Sequence, residues 1–202
     1  HALESQNVSF SSQNVPIMPV EGSIMIEGIL VDHAAAEKML KCTRQHRPLE
    51  AGGLVLGLRK GLYLHVTEIT RPLPWDRQSS TRFQRSPKGH RIAALRRWRK
   101  SGGKMDWIGE WHSHPEFSLS PSSIDIRNWY DIVRQRKAEM IFPICDGRET
   151  AFYLQCWGDR GKVLLRQVEK DALGTFYRTP AAIKRQLRET GNEAYGPTVE
   201  LP

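Results

Sequence analysis

The stretch GEWHSHPEFSLSPSSIDIRNW, residues 109–129, decides the reading of this chain. The segment MDWIGEWH (105–112) has the composition of a strand, and it ends at His112 with His114 two residues on. In extended backbone, residues i and i+2 project to the same side, so the two imidazoles converge. The second half opens a helix over 120–136. Ser120 suits the N-cap, Pro121 the first helical position, and Ile124, Trp129 and Val133 are apolar at roughly helical spacing. Asp125 falls in the first turns, and Ser122, three residues earlier, shares its face. A strand-end His-x-His facing a helix-borne carboxylate offers three ligands, His112, His114 and Asp125. It leaves the fourth tetrahedral position for water, as catalytic rather than structural zinc sites do. Zinc (Zn2+, one per chain) is the cofactor this pattern calls for.

If such a metal activates water for hydrolysis, the reaction also needs a group that takes a proton from the water and passes it to the leaving group. Glu50, in LEAGGLVLG at the start of an apolar run, is the candidate, because a carboxylate buried beside glycines is costly without a polar purpose. Ser122 could donate to the oxyanion of a tetrahedral intermediate. It equally suits the plain satisfaction of a helix N-terminus, and the two roles can coexist. Trp107 and Trp111 are expected on the strand face opposite His112, as core. Glu116 and Phe117, after the His-Ser-His-Pro turn, could line the cleft.

Outward from this centre, IMIEGILV (24–31) reads as a strand, and Asp32 suits the N-cap of a helix reaching about Gln45. GGLVLGLRK (52–60) and LYLHVTEIT (62–70) read as two strands joined at Gly61. Residues 71–87 have a loop's composition, and Arg77, Arg82 and Arg85 there are candidate contacts to a substrate tail. Residues 87–103 fit a helix with Ile92, Leu95 and Trp98 as its buried face and a basic, solvated remainder. AEMIFPIC (138–145), TAFYLQCW (150–157) and KVLLRQV (162–168) read as strands, and Pro180–Arg188 as a last helix. Strands and helices mix without strict alternation, which favours an α+β fold with a mixed β-sheet flanked by helices. The expected organisation is an N-terminal extension over 1–23, one domain over 24–168, and a C-terminal helix and tail over 169–202.

The chain has 202 residues, enough for one domain, and a formal charge of +8. That excess fits either a solvated surface or attraction to an acidic partner. The three cysteines are odd in number and form no Cys-x-x-Cys pair, so they exclude a disulfide scaffold and suit a reducing, cytoplasmic setting. No apolar run approaches the roughly 20 residues of a membrane helix.

With its serine and aspartate, HSHPEFSLSPSSID (112–125) resembles the signature of the JAMM (MPN+) zinc metallopeptidases, and Glu50 with GGLVLG resembles that family's glutamate segment. The resemblance spans roughly 24–168. It implies a JAMM (MPN) domain in which His112, His114 and Asp125 bind zinc, Glu50 is the general acid/base and Ser122 supports the oxyanion. JAMM relatives that lost activity lack one or more of these five. PWDRQSSTRFQRSPKGH (74–90) and GEWHSHPE further resemble bacterial JAMM peptidases of CBASS anti-phage and related operons, found beside ubiquitin-like conjugation enzymes. That implies an isopeptidase releasing a ubiquitin-like protein or a cGAS-like nucleotidyltransferase joined through its C-terminal tail to a target. It involves no membrane, and nucleic acid is not the expected partner. A JAMM-fold binding module for protein or nucleic acid, of the RadC type, is the competing reading, and a hydrolase of small amides is a third.

Overall fold

The computed structural model describes residues 25–191 apart from 117 and 157–160. The segment 1–23, Phe117, Trp157 and the terminal tail therefore lie outside the described residues. Strands β1 (Gly28–Asp32), β2 (Gly52–Lys60), β3 (Tyr63–Ile69), β6 (Asp106–Ser113), β7 (Met140–Cys145), β8 (Thr150–Gln155), β9 (Lys162–Leu164), β10 (Arg166–Lys170) and β11 (Gly174–Arg178) form one sheet. Its order is β10-β11-β1-β3-β2-β6-β7-β8-β9. The pairs β1/β3 and β6/β7 are parallel and the other neighbours antiparallel, so the sheet is mixed. Helices α1 (His33–His46), α2 (Pro87–Lys100), α3 (Ser123–Arg136) and α4 (Pro180–Glu189) complete the α+β architecture.

The apolar pattern explains the layering. Strand β7, MIFPIC, is buried throughout. Met140, Phe142 and Ile144 pack with Trp129 and Val133 of α3, whereas Ile141 and Cys145 pack with Ala35, Met39 and Cys42 of α1. A strand covered on both faces needs apolar residues at every position, and this alternation places α1 and α3 on opposite faces. Trp129 stacks on Phe142 with ring centroids 4.8 Å apart, which fixes the middle of α3 over β7.

Several expectations change. Asp32 precedes α1, but its side chain makes no cap bond; it pairs instead with His65 at 2.7 Å. Segment 71–87 carries its own two-stranded ribbon, β4 (Arg77–Ser79) and β5 (Arg82–Gln84). Ile92 and Trp98 of α2 are exposed; the fully buried side chain of that helix is His90. The run 162–168 breaks at buried Leu165 into β9 and β10, at opposite edges of the sheet. Strand β11, absent from the sequence reading, pairs with β1.

Candidate metal centre

Strand β6 ends at the site because of its register with β2. Gly52 pairs with His112, and the same antiparallel register continued two residues sets Glu50 opposite His114. Ser113 locks this junction: its N–H donates to Ala51 O and its Oγ accepts from Ala51 N, each at 2.8 Å. Glu50 is thereby held at the floor of the cleft with only 7% exposure.

The α3 N-terminus supplies the third donor. The N-cap is Ser122, not Ser120, and Pro121 stays outside the helix. Ser122 Oγ accepts from Asp125 N at 3.2 Å, and the Asp125 carboxylate accepts Ser122 N–H at 2.7 Å. This reciprocal capping box outcompetes a start two residues earlier. It also holds Asp125 in the first turn with its carboxylate turned to the imidazoles. Ser122 O–H donates to Asp125 Oδ2 at 2.7 Å, so its single proton is engaged by that carboxylate.

The donor atoms converge. His112 Nε2 and His114 Nε2 lie 3.0 Å apart, His112 Nε2 is 3.3 Å from Asp125 Oδ1, and His114 Nε2 is 3.5 Å from Asp125 Oδ2. A tetrahedral zinc with ligand bonds of about 2.0–2.1 Å separates its ligands by about 3.3–3.4 Å. The three nearest contacts, which use both oxygens of the Asp125 carboxylate, fall within a few tenths of an ångström of that separation. Among the described residues, His112, His114 and Asp125 are the one His/Cys/Asp/Glu group close enough to hold a metal ion. His114 Nδ1 lies 3.1 Å from Ser118 O. Donation of Nδ1–H to that carbonyl leaves the Nε2 lone pair facing the site. The donor set therefore fits zinc.

Electrostatics agree with the geometry. Burial raises the Asp125 pKa, but hydrogen bonds from His112 and His114, the His112 charge and the Ser122 hydroxyl outweigh it and hold the carboxyl far below its usual range. Burial disfavours the His114 imidazolium, yet Asp125 and then Glu50 outweigh it and raise its pKa. Glu50 runs the other way: burial pushes its pKa up, against the lowering influence of His112 and His114. Two carboxylates in one cleft are thus driven apart, one kept ionised and one made a stronger base.

The cleft has a volume of about 240 Å³ and is lined by all five sequence candidates, Glu50, His112, His114, Ser122 and Asp125, with Arg82, Arg85 and Glu116 at its rim. Arg77 is exposed on β4 and does not line it. Arg85 pairs with Glu110, its Nη2 2.6 Å and its Nε 3.1 Å from Oε1. Glu110 was missed in the sequence, although its place two residues before His112 puts it on the ligand face. Phe83 was missed too; its ring lies over Gly52, where an added Cβ would sit 2.4 Å from Cδ1. Trp111 is core as expected, but Trp107 is not opposite His112. Gly109 pairs with Val55 and Trp107 with Leu56, so Ile108 is an extra residue that reverses the alternation. Trp107 accordingly packs with the α3 cluster, and the guanidinium of Arg85 lies 5.5 Å from its ring centre.

Fold and site together define a JAB/MPN-type α+β domain with a candidate metal centre at the β6–α3 junction. The family profile "Prokaryotic homologs of the JAB domain" matches residues 32–161, and the chain belongs to that family. A relative from Pseudomonas aeruginosa is 36% identical over 107 residues, covering 50% of this chain and 68% of the relative. One from Escherichia coli is 36% identical over 80 residues, covering 40% and 51%. One from Vibrio cholerae is 28% identical over 101 residues, covering 50% and 65%. All three bear the name CD-NTase/cGAS isopeptidase. The solution structure of protein DSY2949 from Desulfitobacterium hafniense is similar with a TM-score of 0.57 and 27% identity, covering 72% of this chain and 94% of that one.

Proposed function

We propose that this chain is a zinc-dependent isopeptidase. It hydrolyses the bond between the C-terminus of one protein and the amine of its target, in bacterial anti-phage defence. The observation that carries the reading is the convergence of the His112, His114 and Asp125 donors, with one ligand atom from each within 4.8 Å of the others, in a cleft that also holds buried Glu50. The names of the relatives support an isopeptidase acting on a cGAS-like nucleotidyltransferase conjugate, with the conjugated protein's extended C-terminal tail in the cleft. Among the described residues Cys42, Cys145 and Cys156 form no disulfide and all three are buried, in keeping with a reducing cytoplasm. No helix among the described residues is long and apolar enough to cross a membrane.

Zinc held by His112, His114 and Asp125 would supply Lewis acidity, activating water near neutral pH and polarising the scissile carbonyl. Glu50 takes a proton from the attacking water as the C–O bond forms. It returns that proton to the leaving nitrogen as the C–N bond breaks, so one carboxylate serves both transfers. Asp125 stays ionised throughout, oriented by Ser122. Arg82 at the rim offers a donor to the carbonyl-rich tail of the substrate.

The test is incubation of the wild-type protein with a protein joined through its C-terminus to a lysine amine or fused to a reporter, with phenanthroline removal and zinc restoration as arms. Cleavage that stops with the chelator and returns with zinc is the expected result. An inert protein that binds nucleic acid tightly at physiological salt would replace this reading with that of a binding module.

A further inference from the structure

A second polar cluster, unused by the mechanism above, joins the β4–β5 segment to α2 and to the end of β3. The Asp76 and His90 side chains have no solvent exposure, and His90 Nε2 is 2.9 Å from Asp76 Oδ2. His90 Nδ1 is 2.6 Å from Thr70 Oγ1, which accepts the N–H of Leu54 at 2.7 Å. The proton order follows. The Asp76 carboxylate can only accept, so His90 Nε2–H donates to it, and Nδ1 of the neutral imidazole takes the hydroxyl proton of Thr70, whose oxygen accepts from Leu54. The cluster has the residue types of a nucleophilic triad, but the Thr70 hydroxyl is committed at both ends.

What Asp76 does with its remaining capacity matters more. Oδ2 accepts Leu73 N–H at 2.6 Å and Oδ1 accepts Ser86 N–H at 2.7 Å. One carboxylate thus grips both stems of the β4–β5 ribbon. The ribbon in turn grips Glu50: Glu50 N–H donates to Ser79 O at 2.8 Å, and the Phe83 N–H is near enough to the Glu50 carboxylate to stabilise its ionised form. An unbroken chain of hydrogen bonds runs from Leu54 in the central strand through Thr70, His90 and Asp76 to the ribbon, and back to the residue four positions before Leu54.

We infer that Thr70, His90 and Asp76 are positioning residues that hold the β4–β5 ribbon, and through it the Glu50 carboxylate, in place over the metal centre. The ribbon is then part of the catalytic apparatus as well as the rim of the substrate cleft. A buried network with every member satisfied fixes one geometry, and a loose ribbon would leave Glu50 free to turn to solvent. The catalytic half of this inference rests on the isopeptidase reading; the structural half does not.

The experiment uses Asp76→Asn and Thr70→Val, with Thr70→Ser as the conservative variant that keeps the hydroxyl. Amide exchange is measured by NMR in the metal-free protein at Glu50, Phe83 and Ser86. The two disruptive variants should exchange there about tenfold faster or more, while amides of β7 and β8 and the Thr70→Ser protein stay near wild type. Unchanged exchange at the three amides, or equal acceleration throughout the sheet, overturns the tether. In single-turnover cleavage, kcat should fall by about tenfold or more with KM nearly unchanged. Adding Asp76→Asn to Glu50→Gln should cost less than about twofold, because the network acts through Glu50. Losses that multiply overturn the link to Glu50. If wild type cleaves no conjugate, the isopeptidase reading fails while the exchange result still decides whether the network holds the ribbon and the Glu50 amide.

Discussion

Oδ2 of Asp125 accepts both the hydroxyl and the backbone N–H of Ser122, each at 2.7 Å, while the same oxygen faces His114 Nε2 at 3.5 Å. The helix cap and the candidate ligand set are therefore one piece of structure. Ser122→Ala should cost about 1 kcal/mol as a lost N-cap and lower Tm by about 2–4 °C. Freeing the carboxylate should also weaken zinc binding by about 10–100-fold, as loss of a group orienting a metal ligand does. Thermal denaturation and a zinc competition titration check both. Wild-type zinc affinity in Ser122→Ala would leave Ser122 with the cap alone.

Purified gently, the protein should carry about one zinc per chain. His112→Ala, His114→Ala and Asp125→Ala should lose metal and cleavage together. Thiol alkylation should leave the native protein active, since all three cysteines are buried and burial pushes the Cys145 thiol up to about 12. Elemental analysis on the activity samples decides it. Stoichiometric zinc in a protein lacking both histidines would sink the ligand assignment.

How much of this was readable from residues depends on the range of the interactions. Strand–loop–helix geometry at 109–129 is set by local period and capping, so the convergence of His112, His114 and Asp125 could be argued from spacing. The true cap was legible as well: Ser122-x-x-Asp125 is a capping box, a stronger signal than a serine before proline. Trp107 was misplaced because the reversal at Ile108 exists only in the pairing of β6 with β2, which no single strand encodes. Helix α2 was misread for a related reason. Its apolar positions predicted a buried face, but the side chain it buries is His90, whose partners Asp76 and Thr70 come from other elements. Strand β11 is five residues, GTFYR, and only its place between β10 and β1 makes it a strand.

The arginines of 77–85 separate by position. Arg82→Ala should raise KM several-fold with little change in kcat, since it lines the rim and lies away from the metal donors. Arg77→Ala should change neither constant, because Arg77 lies outside the cleft lining. Arg85→Ala removes both donors to Glu110 Oε1 and leaves that half-buried carboxylate unpaired, so kcat/KM should fall on the order of tenfold or more. Steady-state kinetics on a C-terminally fused substrate distinguish the three. Equal effects from Arg77→Ala and Arg82→Ala would mean that the ribbon presents a diffuse basic surface.

Glu50→Gln separates hydrolase from binding module. The substitution nearly preserves shape and volume, and the bond from the residue-50 N–H to Ser79 O is a backbone bond, so the ribbon contact persists. What it removes is the group that moves the proton. Glu50 is not among the three converging donors, so zinc content and folding should stay near wild type. General acid–base catalysis contributes about a hundredfold to ten-thousandfold, and a residue serving both transfers stands at the upper end of that range. Cleavage should fall accordingly while the conjugate still binds, which makes the variant a substrate trap. The raised pKa of Glu50 sets the sense of the pH profile: the carboxylate must be ionised to act, so activity should fall on acidification at a pH above the ordinary glutamate range. In the Glu50→Gln protein that acid limb should vanish from the residual rate. Single-turnover cleavage across pH, with zinc measured on the same samples, provides the test. A wild-type rate in Glu50→Gln would remove Glu50 from the proton path and leave the convergent donors without a base.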